Sequence, residues 1–304
     1  MQVTAGMVKN LRERTGAGMM DCKNALMEVD GDMEKAIETL REKGLAKAAK
    51  KAGRIASQGL VNLVFSADGS KAAAVEVNSE TDFVAKNEEF INFVANLSDI
   101  ILKSDVAEVE SLLKLPYLAE GTVAEVLTQK ISKIGENLSI RRFVKCEKPG
   151  IVNVGYIHGG GRIGVIIELE TTATYDEVSK IGRDIAMQVA SMNPRFLDET
   201  CVDPEYLESE KKILIQQALN EGKSAEIVEK MVIGRLKKEL KETCLLEQKF
   251  VKDGEISVGQ YVESASKSIN KPIKVAGMIR YEVGEGIEKV EENFAEEVAK
   301  QMNK

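Results

Sequence analysis

The 304-residue chain has one histidine, four cysteines and five prolines, and each scarcity removes a class of protein. His158 is the only imidazole, so any Ser-His-Asp arrangement would have to be built on it, and a multi-histidine metal site is excluded. Cys22, Cys146, Cys201 and Cys244 lie far apart with no C-x-x-C pair. Neither a structural zinc site nor a dense disulfide frame fits that spacing, and the reducing cytosol is the natural compartment. No run approaches the ~20 apolar residues of a membrane span. No charged-apolar leader or Arg/Ser-rich transit segment precedes the helical periodicity that begins close to Met1, so the chain reads as untargeted and cytoplasmic.

What is present is the composition of a folded protein, with 43% hydrophobic and 30% charged residues. A chain this long is expected to split into several modules, because single cores stop growing below about 300 residues. The net charge of −7 and a pI near 5.2 oppose a whole-protein attraction for nucleic acid, whose phosphates demand a basic face. An acidic protein of this kind is expected to bind other proteins.

Val8 and Leu11, then Cys22, Ala25, Leu26 and Val29, then Ile37 and Leu40 recur at helical spacing and predict three short helices. Gly16 and Gly18 break the first pair, Gly31 and Asp32 the second, and Gly44 stands where a terminating glycine would end the third. Residues 1–45 are thus expected to form a small bundle and 46–58 a basic linker, with Lys47, Lys50, Lys51 and Arg54 among small residues; an exposed helix over 46–54 is the other reading of that run.

From Gly59 the period becomes that of strands, and residues 60–65 and 72–77 flank Asp68-Gly69, a favoured hairpin dipeptide. A helix is expected after Asn87, whose side chain can cap it, with Glu88 and Glu89 in the first turn and Phe90, Phe93, Val94 and Leu97 on one face. A second spans 123–134, closed by Gly135, and 139–145 reads as another strand.

The pattern then returns. Gly150-Ile151-Val152-Asn153-Val154 echoes Gly59-Leu60-Val61-Asn62-Leu63, and 165–169 echo 74–77. The late strands match in kind, Ile140-Arg141-Arg142-Phe143-Val144 and Ile279-Arg280-Tyr281-Glu282-Val283. The expected fold class is α+β, with two related subdomains, each a small antiparallel sheet covered on one side by helices: 59–149, and 150–202 with 248–284. Residues 203–247 form an inserted antiparallel helical hairpin opened by Asp203-Pro204. Ile213, Ile215, Ala218 and Leu219 supply apolar positions on one arm, and Ile227, Val228, Met231, Val232 and Leu236 on the other, with the joint at 220–224. A C-terminal helix is expected over 285–304.

Two glycine-rich segments invite a phosphate-cradle reading and fail it. His158-Gly159-Gly160-Gly161-Arg162 lacks the G-x-x-x-x-G-K-[ST] frame and precedes a strand, which makes a hairpin turn the better reading. Gly284-x-Gly286 lacks a dinucleotide-binding context, and the acidic stretch after it would repel phosphate. No cofactor and no metal are expected. Ser79-Glu80-Thr81-Asp82-Phe83-Val84-Ala85-Lys86 stands apart, between a strand and a capped helix. Either Ser79 and Asp82 form a local cap with Phe83 folded back onto the core, or a rigid aromatic beside a carboxylate forms a binding wedge.

Longer motifs now bear on the question. Leu11-Arg12-Glu13-Arg14-Thr15-Gly16-Ala17-Gly18-Met19-Met20-Asp21-Cys22-Lys23 with Ala25-Leu26 resembles the N-terminal signature of the elongation factor Ts family. So do Glu76-Val77-Asn78 running into Thr81-Asp82-Phe83-Val84-Ala85-Lys86, Lys133-Ile134-Gly135-Glu136-Asn137, His158-Gly159 with Arg162-Ile163-Gly164-Val165, and Val283-Gly284-Glu285-Gly286-Ile287-Glu288-Lys289. The resemblance runs through nearly the whole chain in the right order.

It implies a non-enzymatic guanine-nucleotide exchange factor that binds elongation factor Tu, GDP-bound and nucleotide-free, and promotes GDP release partly by magnesium dislocation. It also implies an N-terminal bundle of the ubiquitin-associated type, a two-part core, and a coiled-coil hairpin that can serve in homodimerisation, with no direct nucleic acid or membrane partner. Thr81, Asp82, Phe83 and Val84 resemble the segment that inserts into the GTPase and dislodges the magnesium ion, Asp82 and Phe83 at its tip. Lys23 and Lys51 resemble partner-contacting lysines, and Gly135 and His158 match core positions at or near the interface. Gly159-Gly160-Gly161 is more glycine-rich than the family pattern. The competing reading of the three-helix start is a ubiquitin-associated-type adaptor without exchange activity.

Overall fold

The computed structural model describes residues 3–222 and 225–287. The chain divides into two compact units, one of Met1–Asn62, Val75–Val144 and Glu282–Lys304, the other of Leu63–Ala74 and Lys145–Tyr281.

The first unit opens with α1 (Ala5–Thr15), α2 (Met19–Glu28) and α3 (Met33–Lys51). Thr4 caps α1 by accepting from the Met7 amide, Gly16 ends it in the left-handed region, and Asp32 opens α3 by accepting from the amides of Glu34 and Lys35. Val8, Leu11, Cys22, Ala25, Leu26 and Ala36 form the buried centre of this bundle, with Ile37 and Leu40 packed against it.

Gly44 does not end the third helix, which continues to Lys51, so residues 46–51 take the helix rather than the linker of the two readings of that segment. The reason lies in α7 (Val123–Ile134): Gly44 is buried, and a β-carbon placed on it would lie 3.9 Å from Ser132 Cβ and 4.0 Å from Thr128 Cγ2. Packing against a second helix outweighs the ~1 kcal/mol that an internal glycine costs.

After α3 come β1 (Gln58–Phe65), β2 (Lys71–Ser79), α4 (Asp82–Ala85), α5 (Glu88–Lys103), α6 (Val109–Leu112), α7 and β3 (Ser139–Glu147); of these strands, residues 63–65, 71–74 and 145–147 count with the second unit. The strands form one sheet in the order β1-β2-β3. Asn87 caps α5 as expected, accepting from the Glu89 and Phe90 amides, and α5 buries Phe90, Phe93, Val94, Leu97 and Ile101. A Thr122–Glu125 capping box opens α7 and Gly135, at φ 87°, closes it.

The second unit holds β4 (Ile151–His158), β5 (Ile163–Thr171), α8 (Tyr175–Met192), α9 (Pro204–Asn220), α10 (Ala225–Thr243), β6 (Lys249–Phe250), β7 (Asp253–Ser257), α11 (Val258–Ile269) and β8 (Ile273–Glu282). Its main sheet has the order β4-β5-β8, first strand, second strand, last strand, as in the other sheet. β4 and β5 are antiparallel, in a register that sets Val154 opposite Ile167 and His158 opposite Ile163. The core joins Val165, Ile167 and Leu169 of β5 to Val178, Ile185 and Val189 of α8 and Val258 and Val262 of α11. Helices with antiparallel sheet make the chain α+β.

α9 and α10 are the two arms of the insertion, with Asp203 capping α9 and Pro204 in its first turn. Ala218, Val228 and Val232 are buried together with Leu214 and Ile215 beside them. Ile213, Leu219 and Ile233 stay exposed. Lys223 and Ser224 of the joint, the side chain of Ile227, and residues 288–304 of the expected C-terminal helix lie outside the described residues. Among the described residues, no helix is long and apolar enough to cross a membrane, and no group of three or more His, Cys, Asp or Glu side chains could hold a metal ion. All four cysteines are free thiols.

Candidate functional site

β2 ends at Ser79, whose hydroxyl donates to the Thr81 carbonyl at 2.9 Å, and α4 then makes a single turn. The amide of Asn87 donates to the Val84 carbonyl at 2.9 Å, so the turn runs straight into the cap of α5. Val84 is buried while Phe83 is 78% exposed. Of the two readings of this corner, the one with Phe83 folded onto the core is therefore not what the chain adopts. Asp82 is exposed and pairs with Lys86 at 2.6 Å. The hydrogen bond from Lys86 holds the Asp82 carboxyl below the usual carboxylate range, but an ion pair this exposed adds little stability.

The corner rests on the loop after α7. Glu136 accepts from the Thr81 hydroxyl at 2.6 Å and the Thr81 amide at 3.0 Å. Glu80 accepts from the Asn137 amide at 2.5 Å, and the buried Asn137 side chain donates to the Arg54 carbonyl at 2.7 Å. Lys51, half-buried at the end of α3, donates to the Gly135 carbonyl. Thus Thr81, Asp82, Phe83, Val84, Lys51 and Gly135 belong to one connected arrangement in the first unit. Lys23 is exposed on α2 of the same unit.

His158 belongs to the second unit, exposed at the end of β4, with Nδ1 3.0 Å from the Tyr156 hydroxyl. Arg183 of α8 stands 5.9 Å over the Tyr156 ring. Gly159, Gly160 and Gly161 have φ of 60°, 66° and 98°, so all three occupy the left-handed region that other residues avoid. The Arg162 amide closes this turn on the His158 carbonyl at 3.1 Å. The extra glycine is what the turn requires, and the segment is the expected hairpin, not a phosphate cradle.

Residue type and spacing assign no role to Glu76, which the fold places at the centre of a buried ionic cluster. Glu76, in the middle strand of the first unit's sheet, is fully buried, yet accepts from Arg141 at 3.0 Å, Arg142 at 2.6 Å, the Asn78 side chain at 3.1 Å and the Gly284 amide at 2.8 Å. Burial pushes its pKa up, but the Gly284 amide and the two guanidinium groups outweigh it and hold the carboxyl below its ordinary value. Gly284 has φ 71°, and a β-carbon there would lie 2.2 Å from the Ser57 carbonyl oxygen. The Gly284-x-Gly286 motif thus serves an internal carboxylate rather than a phosphate. A lone glutamate within the apolar run Ala72-Ala73-Ala74-Val75-Glu76-Val77, and paired arginines in a later strand, were the available signals. The counterpart on β5, Glu168, is 4% exposed and pairs with Lys148 at 2.9 Å.

The family model described as "Elongation factor TS" matches residues 80–285, from one residue before Thr81 to one after Gly284. The elongation factor Ts of Clostridioides difficile strain 630 is 57% identical over 300 residues, covering 99% of each chain. The chain belongs to the elongation factor Ts family. That of Clostridium novyi strain NT is 57% identical over 304 residues and that of Clostridium kluyveri strain NBRC 12016 55% over 302, again with 99% of each chain covered. Membership of the elongation factor Ts family makes the chain a translation elongation factor. The part matched by the elongation factor Ts model contains the corner, Gly135, His158 and both arginine-bearing strands, while Lys23 and Lys51 precede it.

Proposed function

We propose that this chain is a non-enzymatic guanine-nucleotide exchange factor that binds elongation factor Tu and promotes replacement of its GDP by GTP. The observation that carries the reading is Phe83, 78% exposed on a corner whose backbone is fastened on both sides, by the Thr81 amide on Glu136 and the Asn87 amide on the Val84 carbonyl. Burying such a ring against a partner offers about 2–3 kcal/mol, and a fixed backbone spares the ordering cost. Asp82 and Phe83 form the tip that enters the GTPase, with Thr81 and Val84 as its base, and they act by dislodging the magnesium ion that bridges protein and diphosphate. Lys23, Lys51, Gly135 and His158 are assigned to the partner-binding face or its support.

The physics is linkage. A factor that loosens nucleotide must bind the empty GTPase better than the loaded one, and nucleotide must weaken the factor by the same free energy. The three-helix start is assigned to the ubiquitin-associated type, and the α9–α10 hairpin, with Ile213, Leu219 and Ile233 exposed, to homodimerisation. A free-standing adaptor is disfavoured because α3 is fastened to α7 by Arg41 with Glu125 and by Lys51 with Gly135.

Release of labelled GDP from elongation factor Tu tests the proposal. The chain is expected to accelerate release, and Phe83→Ala or Asp82→Ala to slow it without loss of fold. Equal stimulation by all three proteins removes the tip assignment, and no stimulation removes the function.

A further inference from the structure

We propose that Glu136 is a positioning residue for the corner formed by Thr81, Asp82, Phe83 and Val84, holding its shape before any partner arrives; its effect on nucleotide release rests on the exchange-factor reading above. Thr81 occupies the N-cap of α4, yet its side chain makes no capping bond to the helix. In an ordinary cap the threonine oxygen would accept from an amide two or three residues on. Here the hydroxyl donates to Glu136 Oε1 at 2.6 Å and the Thr81 amide donates to Oε2 at 3.0 Å, so one side chain 55 positions away takes up both donors.

Besides these bonds the corner has the Ser79 hydroxyl on the Thr81 carbonyl and the Asn87 amide on the Val84 carbonyl, both from residues outside α4. A four-residue helix is far below the length that sustains itself in water, and of its two large side chains only Val84 is buried. The shape of α4 must therefore come from outside it.

The adjoining residues repeat the arrangement in the opposite sense. Glu136 accepts a backbone amide from the corner, and Glu80 beside the corner accepts the Asn137 amide from the loop at 2.5 Å. The Arg54 guanidinium stands 3.5 Å from Glu80, and the Arg54 carbonyl receives the Asn137 side chain at 2.7 Å. Two charge-assisted bonds thus cross the same gap in opposite directions, and sliding one segment past the other breaks both together. The donation from Lys51 to Gly135 fastens the end of α3 to this loop. Lys51 and Gly135 thereby support the tip through the loop.

Two measurements on the full chain test the proposal. In the free protein, Glu136→Ala should speed hydrogen exchange at the Thr81 amide by about tenfold or more, the loss of a bond to a charged acceptor. Glu136→Gln, which keeps the shape and an acceptor, should fall between, and the amides of β2 should be unaffected. In GDP release at saturating chain, Glu136→Ala should lower the maximal rate toward that of Phe83→Ala. The double variant should be no slower than Phe83→Ala alone, because both changes disable one element.

Unchanged exchange at Thr81, or rate losses that multiply in the double variant, would overturn the proposal. If the unaltered chain does not accelerate release, the exchange-factor reading fails, and amide exchange alone decides whether Glu136 holds the corner.

Discussion

Alanine at Gly44 and alanine at Gly284 should shift the stability of the same unit in opposite directions. Gly44 lies inside α3 with ordinary helical backbone, and its new β-carbon would meet Ser132 and Thr128 at 3.9 and 4.0 Å, normal contact distances. The expected gain is the helix-propensity difference, about 0.5–1 kcal/mol. At Gly284 the β-carbon would meet the Ser57 carbonyl oxygen at 2.2 Å, and φ of 71° adds strain of about 1 kcal/mol. Relieving the clash moves the amide that donates to buried Glu76 at 2.8 Å, a bond to a charged group worth about 1.5–3 kcal/mol. Together these predict a loss of roughly 2.5–4 kcal/mol.

Urea unfolding of the full chain, followed by circular dichroism, is the assay, with the transition of the first unit located by hydrogen exchange. With a slope of about 2 kcal/mol/M, the midpoint should rise by roughly 0.3–0.5 M for Gly44→Ala and fall by roughly 1.3–2 M for Gly284→Ala. A lowered midpoint for Gly44→Ala would show that α3 and α7 approach more closely than these distances allow. An unmoved midpoint for Gly284→Ala would show that the amide contributes nothing to holding Glu76.

The Glu76 carboxyl sits below its unfolded value of about 4.3, so its stabilisation is complete above that pH and disappears as pH falls through the folded value. Glu76→Gln should be less stable at pH 7 yet lose less between pH 5 and 3, as urea midpoints at the two ends would reveal. Asn87→Ala removes the acceptor for the first amides of α5 and should cost about 1 kcal/mol, with Asn87→Asp restoring it. Phe83→Ala should change unfolding by less than about 0.5 kcal/mol, because the ring is 78% exposed, while slowing GDP release; a large loss of stability would show that the ring packs internally.

The sequence by itself determined whatever depends on near neighbours. The caps at Asn87 and Asp203, the stop at Gly135 and the turn at Asp68-Gly69 are bonds or dihedrals within a few residues, so residue type and spacing suffice to place them. The change of period at Gly59 and the echo beginning at Gly150 likewise made the α+β class legible. Where α3 ends was decided by α7, which offers Gly44 a packing surface that its own helix does not encode.

Glu76 is stabilised by an amide 208 residues away, and α4 by a glutamate 55 residues away. Both readings of Phe83 satisfied the local pattern; tertiary structure separated them by burying Val84 instead and bracketing Thr81. The physical reason is that periodicity records which side chains avoid water, whereas a hydrogen bond or close contact between distant segments depends on which surfaces the fold brings face to face.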